Sequence, residues 1–160
     1  MKIRPAEQTD CPELARLRWQ VRIEEDGESA AFEEQEFLTE CARFFSQGIK
    51  DGSHICWLAV EDELIVSHIC VQIVPMIPRP LRIEDRYGYL TNSYTLPAYR
   101  NKGIGSQLLE HVIEWALEQD LELLIVWPSE RAVSFYERLG FDPKHDILQL
   151  TLRAYDEPSL

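Results

Sequence analysis

The chain has 160 residues, of which 45% are hydrophobic and 28% are charged, and its formal net charge is −12. A chain of this length forms one globular domain that buries about 70% of its unfolded surface, so we predict a single domain over residues 1–155 and a flexible tail over residues 156–160. The acidic excess excludes a general attraction to nucleic acid or anionic membranes, and no apolar run approaches the ~18 residues of a membrane span.

The cysteines and the N-terminus indicate the cellular compartment. Cys11, Cys41, Cys56 and Cys70 form no CxxC pair, which is typical of buried thiols in a reducing compartment. The first residues lead into a polar, helix-like stretch without the apolar core of a signal peptide. We therefore predict a soluble, unprocessed, cytoplasmic protein.

The hydrophobic pattern places two helices before a sheet and alternates strands with helices only in the second half. In chain order it predicts a strand at 3–4, helices at 10–24 and about 37–48, a hairpin at 54–60 and 64–74, an irregular proline loop at 75–85, a strand at 87–96, a helix from about 103, a buried strand at 121–127, a short helix at 131–139 and the last strands within 141–152. This order predicts an α/β or α+β sandwich built on a mixed sheet.

The segment between the strand at 87–96 and the following helix has the features of an anion site. Gly103 and Gly105 let the backbone approach a ligand closely, and the first turn of a helix offers unpaired N–H groups. Arg100 and Lys102 add positive charge in an otherwise acidic protein, which favours a phosphate or pyrophosphate. A P-loop does not fit, because Lys102 precedes the first glycine, and a dinucleotide fingerprint lacks its third glycine.

Two motifs together resemble one known family. Arg100-x-x-Gly103-x-Gly105 is similar to the acetyl-CoA loop of the GCN5-related N-acetyltransferases, written Q/R-x-x-G-x-G/A. About thirty residues downstream, a short helix with Tyr136, followed by Gly140 and Phe141, resembles that family's closing motif. The resemblance implies an α/β (α+β) fold with a mixed, mostly antiparallel sheet of six to seven strands flanked by about four helices. It also implies acetyl-CoA as co-substrate, and no metal.

The resemblance further implies how the co-substrate is held. In the family, a bulged fourth strand splays from its neighbour, so that pantetheine can pair with free main-chain groups, and the loop amides take the pyrophosphate. Tyr136 falls where the family often places the acid that protonates the departing thiolate of CoA. The implied cofactor-binding residues are Ser93, Tyr94, Thr95, Leu96, Arg100, Asn101, Lys102, Gly103, Ile104, Gly105 and Ser106.

The general base is not assigned by the sequence. Positions where other family members carry a base hold Tyr89, Thr91 and Leu124 here, and the last of these disfavours acetylation of ribosomal-protein N-termini. A water relay is equally compatible with the sequence. The remaining candidates are Glu84, Asp85, Glu122, His68 and His111.

The acceptor predicted from the sequence is a primary amine of a small molecule or peptide. Acidic residues before the second helix and in the proline loop predict an acidic entrance that prefers cationic amines. Two alternatives stay open, namely a non-catalytic module that binds acyl-CoA and an enzyme for longer acyl chains, as does a homodimer. The residues of the predicted acidic entrance are Glu24, Glu25, Asp26, Glu28, Glu84 and Asp85.

Overall fold

The structure is a computed structural model that describes residues 1–26, 33–143 and 150. Its main elements in chain order are β1 (Lys2–Pro5), α1 (Cys11–Asp26), α2 (Glu34–Asp51), β2 (His54–Glu61), β3 (Leu64–Pro75), β4 (Arg86–Thr95), α3 (Ile104–Glu118), β5 (Leu124–Val126) and α4 (Val133–Glu137). Short 3₁₀ turns precede α1 and α4 and lie between β4 and α3. This order of helices and strands follows the one predicted from the hydrophobic pattern.

The sheet contains five strands within the described ranges, in the order β1-β2-β3-β4-β5. Neighbouring strands are antiparallel from β1 to β4, and β5 runs parallel to β4. A mixed, mostly antiparallel sheet with flanking helices confirms the predicted fold class, with five strands described instead of six or seven. The last strands predicted, within 141–152, lie largely outside the described residues.

Helices cover both faces of the sheet, and the two resulting cores have separate side chains. Under α1 and α2, Leu14 and Leu17 are fully buried in the same cluster as Leu58 of β2. On the opposite face, Leu108 and Val112 of α3 pack in the second core. Burial of such side chains is the main stabilising contribution to the fold. Of the helices in the described ranges, none is both long and apolar enough to cross a membrane.

β5 is shorter and less covered than the sequence predicts. The apolar run at 121–127 indicates a strand buried on both faces, but only Leu124–Val126 pairs with β4. Leu123 and Trp127, just outside the strand, are 46% and 59% exposed. The apolar run therefore predicted the position of the strand correctly, but the strand is shorter and less buried than the run indicates.

The cysteines do not all remain thiols, which corrects the prediction from sequence. Cys56 and Cys70 form a disulfide, while buried Cys11 and half-buried Cys41 are free. The physical reason is strand register, because Cys56 of β2 stands directly opposite Cys70 of β3 with 4.0 Å between their Cα atoms. The fourteen-residue separation in sequence contains no signal for this pairing.

Gly88 lies where β4 meets β3 and β5 most closely. A Cβ at this position would lie 2.6 Å from Leu124 Cδ2 and 2.8 Å from Val71 Cγ1. Both distances are below ordinary van der Waals contact. The missing side chain therefore lets β5 pack beside β4 at the beginning of their parallel pairing, Gly88↔Leu124.

We expect Gly88→Ala to lower the free energy of unfolding by about 1–3 kcal/mol, because the added methyl group overpacks the interior. Denaturant unfolding measures the change. In the double variant Gly88→Ala/Leu124→Ala, the nearest clash is removed, so the loss should be smaller than the sum of the two single losses. Simple additivity of the two substitutions would contradict this account of Gly88.

Candidate active site

The central feature of the site is the point where β4 and β5 separate. The two strands pair only at Gly88↔Leu124, Tyr89↔Ile125 and Leu90↔Val126. β5 then ends, whereas β4 continues to Thr95 while still paired with β3. Within the described ranges, residues 91–95 thus have no strand partner on the side that faces away from β3. We call this opening between the end of β4 and the end of β5 the cleft.

A bulge in β4 gives the cleft its shape. The register with β3 shifts between His68 and Cys70, and Asn92 adopts a left-handed backbone conformation with φ 47°. Asparagine tolerates this conformation better than most residues with a side chain. Its amide donates to Cys70 Sγ at 3.9 Å, and its Oδ1 accepts a long contact from Arg18 Nη1 of α1 at 3.5 Å. Sequence reasoning missed Asn92, although an asparagine inside an apolar strand pattern is a usable signal for a bulge.

Two predicted site residues, Ser93 and Tyr136, meet at the cleft. Tyr136 of α4 is only 6% exposed, with its ring 5.0 Å from that of Phe135 and 5.3 Å from that of Phe141. Burial raises the pKa of the Tyr136 phenol above its ordinary value, and a hydrogen bond with the Ser93 side chain opposes that rise. The phenol is therefore a protonated group at neutral pH, held beside the unpaired edge of β4.

The loop at 100–105 has the backbone expected of an anion site. Asn101 and Gly103 both have left-handed backbones, with φ 60° and φ 78°. Gly103 is the N-cap of α3, and no side chain caps the first turn of that helix. The amides of the first turn therefore lack partners within the helix and are available to an anion. We call residues 100–105 the cofactor loop.

The two cations of this loop behave differently. Lys102 is exposed, and its Nζ lies 5.1 Å from the centre of the Tyr99 ring. Arg100 turns away toward α1, where its Nη2 donates to Glu24 Oε2 at 2.7 Å. The sequence predicted that both side chains contribute charge to an anion site. In the structure Lys102 is exposed beside the loop, whereas Arg100 forms an ion pair with Glu24, 76 positions earlier in the chain.

The remaining predicted residues lie around the end of β4 and the start of α3. Thr95 Oγ1 lies 2.8 Å from Ser67 Oγ, whose hydroxyl also donates to the Tyr94 carbonyl at 2.9 Å. A Cβ on Gly105 would lie 3.5 Å from Thr95 Oγ1 and 3.7 Å from the Phe135 ring, so the backbone of α3 is close to both β4 and α4. Two side chains pack in the protein interior, those of half-buried Leu96 and buried Ile104, while that of Ser106 is half-buried.

The acidic candidates for the general base lie at the wrong end of β4. Asp85, with a side chain 1% exposed, pairs with Arg79 at 2.5 Å and with Arg82 at 3.3 Å. Glu122 pairs with the same Arg79 at 2.9 Å. These groups stand at the start of β4, and ten strand residues place them about 30 Å from Thr95. Glu84, next to Asp85, is exposed at that same end.

The two histidine candidates are also unsuited to proton transfer at the cleft. His68 of β3 is fully buried, and burial lowers its pKa to about 4, so that it is neutral at physiological pH. His111 of α3 is half-buried, and its ring lies 4.4 Å from that of Trp57 in β2. Both histidines are packing residues.

The described residues of the predicted acidic entrance do not lie together. Glu24 lies beside Tyr94 near the end of β4, whereas Glu84 and Asp85 lie before its start, so they do not face each other. Glu24 and Asp85 are moreover ion-paired with arginines. The fourth acidic residue before α2, Glu28, lies outside the described residues.

The fold and the cleft together indicate which kind of ligand the site can hold. An acyl-CoA matches three features of this site. They are the free edge of β4, the uncapped start of α3 with left-handed residues before it, and the buried phenol of Tyr136. The described residues contain no group of three or more His, Cys, Asp or Glu side chains that could hold a metal ion.

Comparison with known proteins gives the family. The sequence profile of the acetyltransferase (GNAT) family matches residues 12–141, and the chain belongs to this family. The family assignment made from the sequence is thereby confirmed.

Curated relatives match over part of their length. Thialysine N-epsilon-acetyltransferase of Bos taurus is 37% identical over 60 residues, which cover 36% of this chain and 35% of the relative. Uncharacterized N-acetyltransferase YobR of Bacillus subtilis (strain 168) is 34% identical over 64 residues, covering 38% and 26% respectively. The matched segment thus spans about a quarter to a third of these relatives.

Solved structures match over nearly the whole chain and show the fold. A predicted acetyltransferase from Clostridium acetobutylicum, determined with acetyl-CoA, superposes with a TM-score of 0.79 at 24% identity, covering 94% of this chain and 96% of that one. Glucosamine-6-phosphate N-acetyltransferase from Arabidopsis thaliana has a TM-score of 0.69 at 19% identity, covering 95% and 98%.

We expect Gly103→Ala to weaken CoA binding by about 1–3 kcal/mol, because a Cβ strains the left-handed backbone that presents the loop amides. No atom lies closer than 3.8 Å to the added Cβ, so the effect is conformational. Isothermal titration with CoA measures it.

Gly52→Ala is the matched control for this substitution. Gly52 has φ 75°, an open surrounding like that of Gly103, and a position at the end of α2 outside the cleft. Both variants should lose similar stability, but only Gly103→Ala should lose CoA affinity. Equal CoA affinity in the two variants would remove the cofactor loop from the site.

Proposed function

We propose that this protein transfers the acetyl group of acetyl-CoA to a primary amine of a small molecule or peptide by direct attack of the amine on the thioester. The observation that carries the proposal is the Tyr136 phenol beside Ser93 at the free edge of β4. Acetyl-CoA supplies an activated acyl group with a thiol as leaving group, so no nucleophilic residue of the protein is required.

The main chain of the protein would hold most of the co-substrate. The free edge at the end of β4, over 93–95, can pair with the extended pantetheine as an added strand would. The amides of 101–106 and the Lys102 ammonium would bind the pyrophosphate. Because these contacts fix the thioester beside Ser93, proximity and a main-chain donor there contribute much of the rate enhancement.

Tyr136 is the proposed general acid. Its raised pKa keeps the phenolic proton in place through the physiological range, and the proton would pass to the CoA sulfur as the carbon–sulfur bond breaks. The attacking amine must lose a proton in the same reaction. Since the candidate carboxylates are ion-paired or distant and both candidate histidines are packed away, we infer that water accepts this proton.

The absence of a suitable base among these candidates also favours one alternative, a module that binds acyl-CoA without turnover. A buried phenol held at the thioester end argues for the enzyme, because a sensor does not require an acid there.

A turnover screen distinguishes the two functions. Release of free CoA thiol from acetyl-CoA should depend on an added amine if the protein is an acetyltransferase. The panel includes thialysine and glucosamine 6-phosphate, after the substrates in the names of two similar proteins, together with a polyamine, an amino acid and a peptide. CoA binding by titration without amine-dependent thiol release across the panel would favour the binding module.

Tyr136→Phe removes only the hydroxyl, so we expect kcat to fall by about 10-fold to 10³-fold while the KM for acetyl-CoA changes little. Because burial raises the phenol pKa, the wild-type enzyme should not lose this acid until the pH rises above the ordinary value for tyrosine, near 10. Tyr87→Phe, at the start of β4, is the control and should retain full turnover. Equal kcat in both variants across the pH range would exclude the acid role.

A further inference from the structure

Three contacts fix the guanidinium of Arg100. Its Nη2 donates to Glu24 Oε2 at 2.7 Å, its Nε donates to the Thr95 carbonyl at 2.9 Å, and its Cζ lies 5.2 Å above the centre of the Tyr94 ring. The first residue of the cofactor loop is thus attached by its side chain to α1 and to the end of β4. A cation between a carboxylate and an aromatic face is a directional contact that defines the position of the residue.

Glu24 is fixed as closely as Arg100. Its Oε1 accepts a short hydrogen bond from the Tyr94 phenol, and Oε2 accepts from Arg100, so that each oxygen has a partner. Burial raises the pKa of the Glu24 carboxyl, but the bonds from Arg100 and Tyr94 and the charges of Arg100 and Arg131 outweigh it and lower the pKa. Burial and the Glu24 bond raise the pKa of Tyr94 to about 12, so the phenol remains the donor. We call Glu24, Tyr94 and Arg100 the clasp.

The clasp connects parts of the chain that are otherwise far apart. Glu24 lies in the last turns of α1, and Arg100 stands immediately before the left-handed Asn101 of the cofactor loop. The loop backbone before Asn101 is otherwise closed by short-range bonds, from Tyr99 to the Leu96 carbonyl and from Arg100 to the Pro97 carbonyl. Among the described residues, the Glu24 pair connects Arg100 with an element outside β4 and the loop.

We propose that Glu24 is a positioning residue for acetyl-CoA, which holds Arg100 against Tyr94 and thereby fixes the cofactor loop in the conformation that binds phosphate. The inference rests on the proposed site at this loop. Glu24 does not touch the reacting atoms in this account. Its loss should therefore weaken CoA binding and leave the chemical step unchanged. The pair is partly exposed, with side-chain accessibilities of 38% for Arg100 and 28% for Glu24, so a moderate effect is expected.

The test is a double-mutant cycle read out by CoA titration, which does not depend on turnover. Glu24→Gln should raise the Kd for CoA and the KM for acetyl-CoA about 5–10-fold, with kcat and the acceptor KM within about 2-fold of wild type. Arg100→Ala should raise the Kd by a similar factor. Because Glu24 acts through Arg100, the double variant should match Arg100→Ala within about 2-fold.

The control is Glu40→Gln, which removes an ion pair of the same length within α2, Glu40 with Arg43 at 2.7 Å, and should leave the Kd unchanged. Glu24→Asp keeps the charge but shortens the side chain by one methylene, so it should raise the Kd in the same direction and replaces Glu24→Gln if that variant fails to fold. An unchanged or lower Kd in the Glu24 variants, a fall in kcat at constant Kd, or multiplicative effects in the cycle would each overturn the proposal. Wild-type CoA binding without turnover on any amine would remove only the proposed reaction, and the titrations would still decide the role of Glu24.

Discussion

Unpaired strand backbone is the constraint on which this site depends. Main-chain groups left without a partner are costly unless they reach solvent or a ligand, and β4 leaves a run of them at the cleft. Its last residues are held from several sides, by Arg18 and Glu24 from α1, Ser67 from β3 and Tyr136 from α4. Side chains from α1, β3 and α4 thus hold this edge in position. In an ordinary sheet, another strand would pair with it. In the proposed function, the extended amide chain of the co-substrate takes the place of the missing strand.

The charges of the protein are arranged locally and not as a uniform acidic surface. The formal net charge is −12, yet arginines close to both ends of β4 form ion pairs with acidic residues. At its start, Arg79 and Arg82 surround buried Asp85, and near its end Arg100 meets Glu24. Net charge therefore describes the interaction of the whole molecule with polyanions, whereas of these pairs only that of Arg100 and Glu24 lies close enough to act at the end of β4.

The sequence predicted well those features that are encoded by neighbouring residues. A helix was predicted from about residue 103, and α3 begins at Ile104 with Gly103 as its N-cap. The helix and strand order followed from local periodicity. The features that it missed depend on contacts between distant residues: the direction of Arg100 is set by Glu24, and the bond between Cys56 and Cys70 follows from the β2–β3 register. Periodicity contains no information on such partners.

The contacts of the cleft have a consequence for how the molecule folds. Those that orient the end of β4 join residues 74, 76 and 27 positions apart, from Arg18 to Asn92, from Glu24 to Arg100 and from Ser67 to the Tyr94 carbonyl. Contacts of such long range form slowly, because the intervening chain must be ordered first. The binding cleft therefore belongs to the late, cooperative part of folding. A fragment that begins after α1 would keep the loop sequence and lose the arrangement that makes it a site.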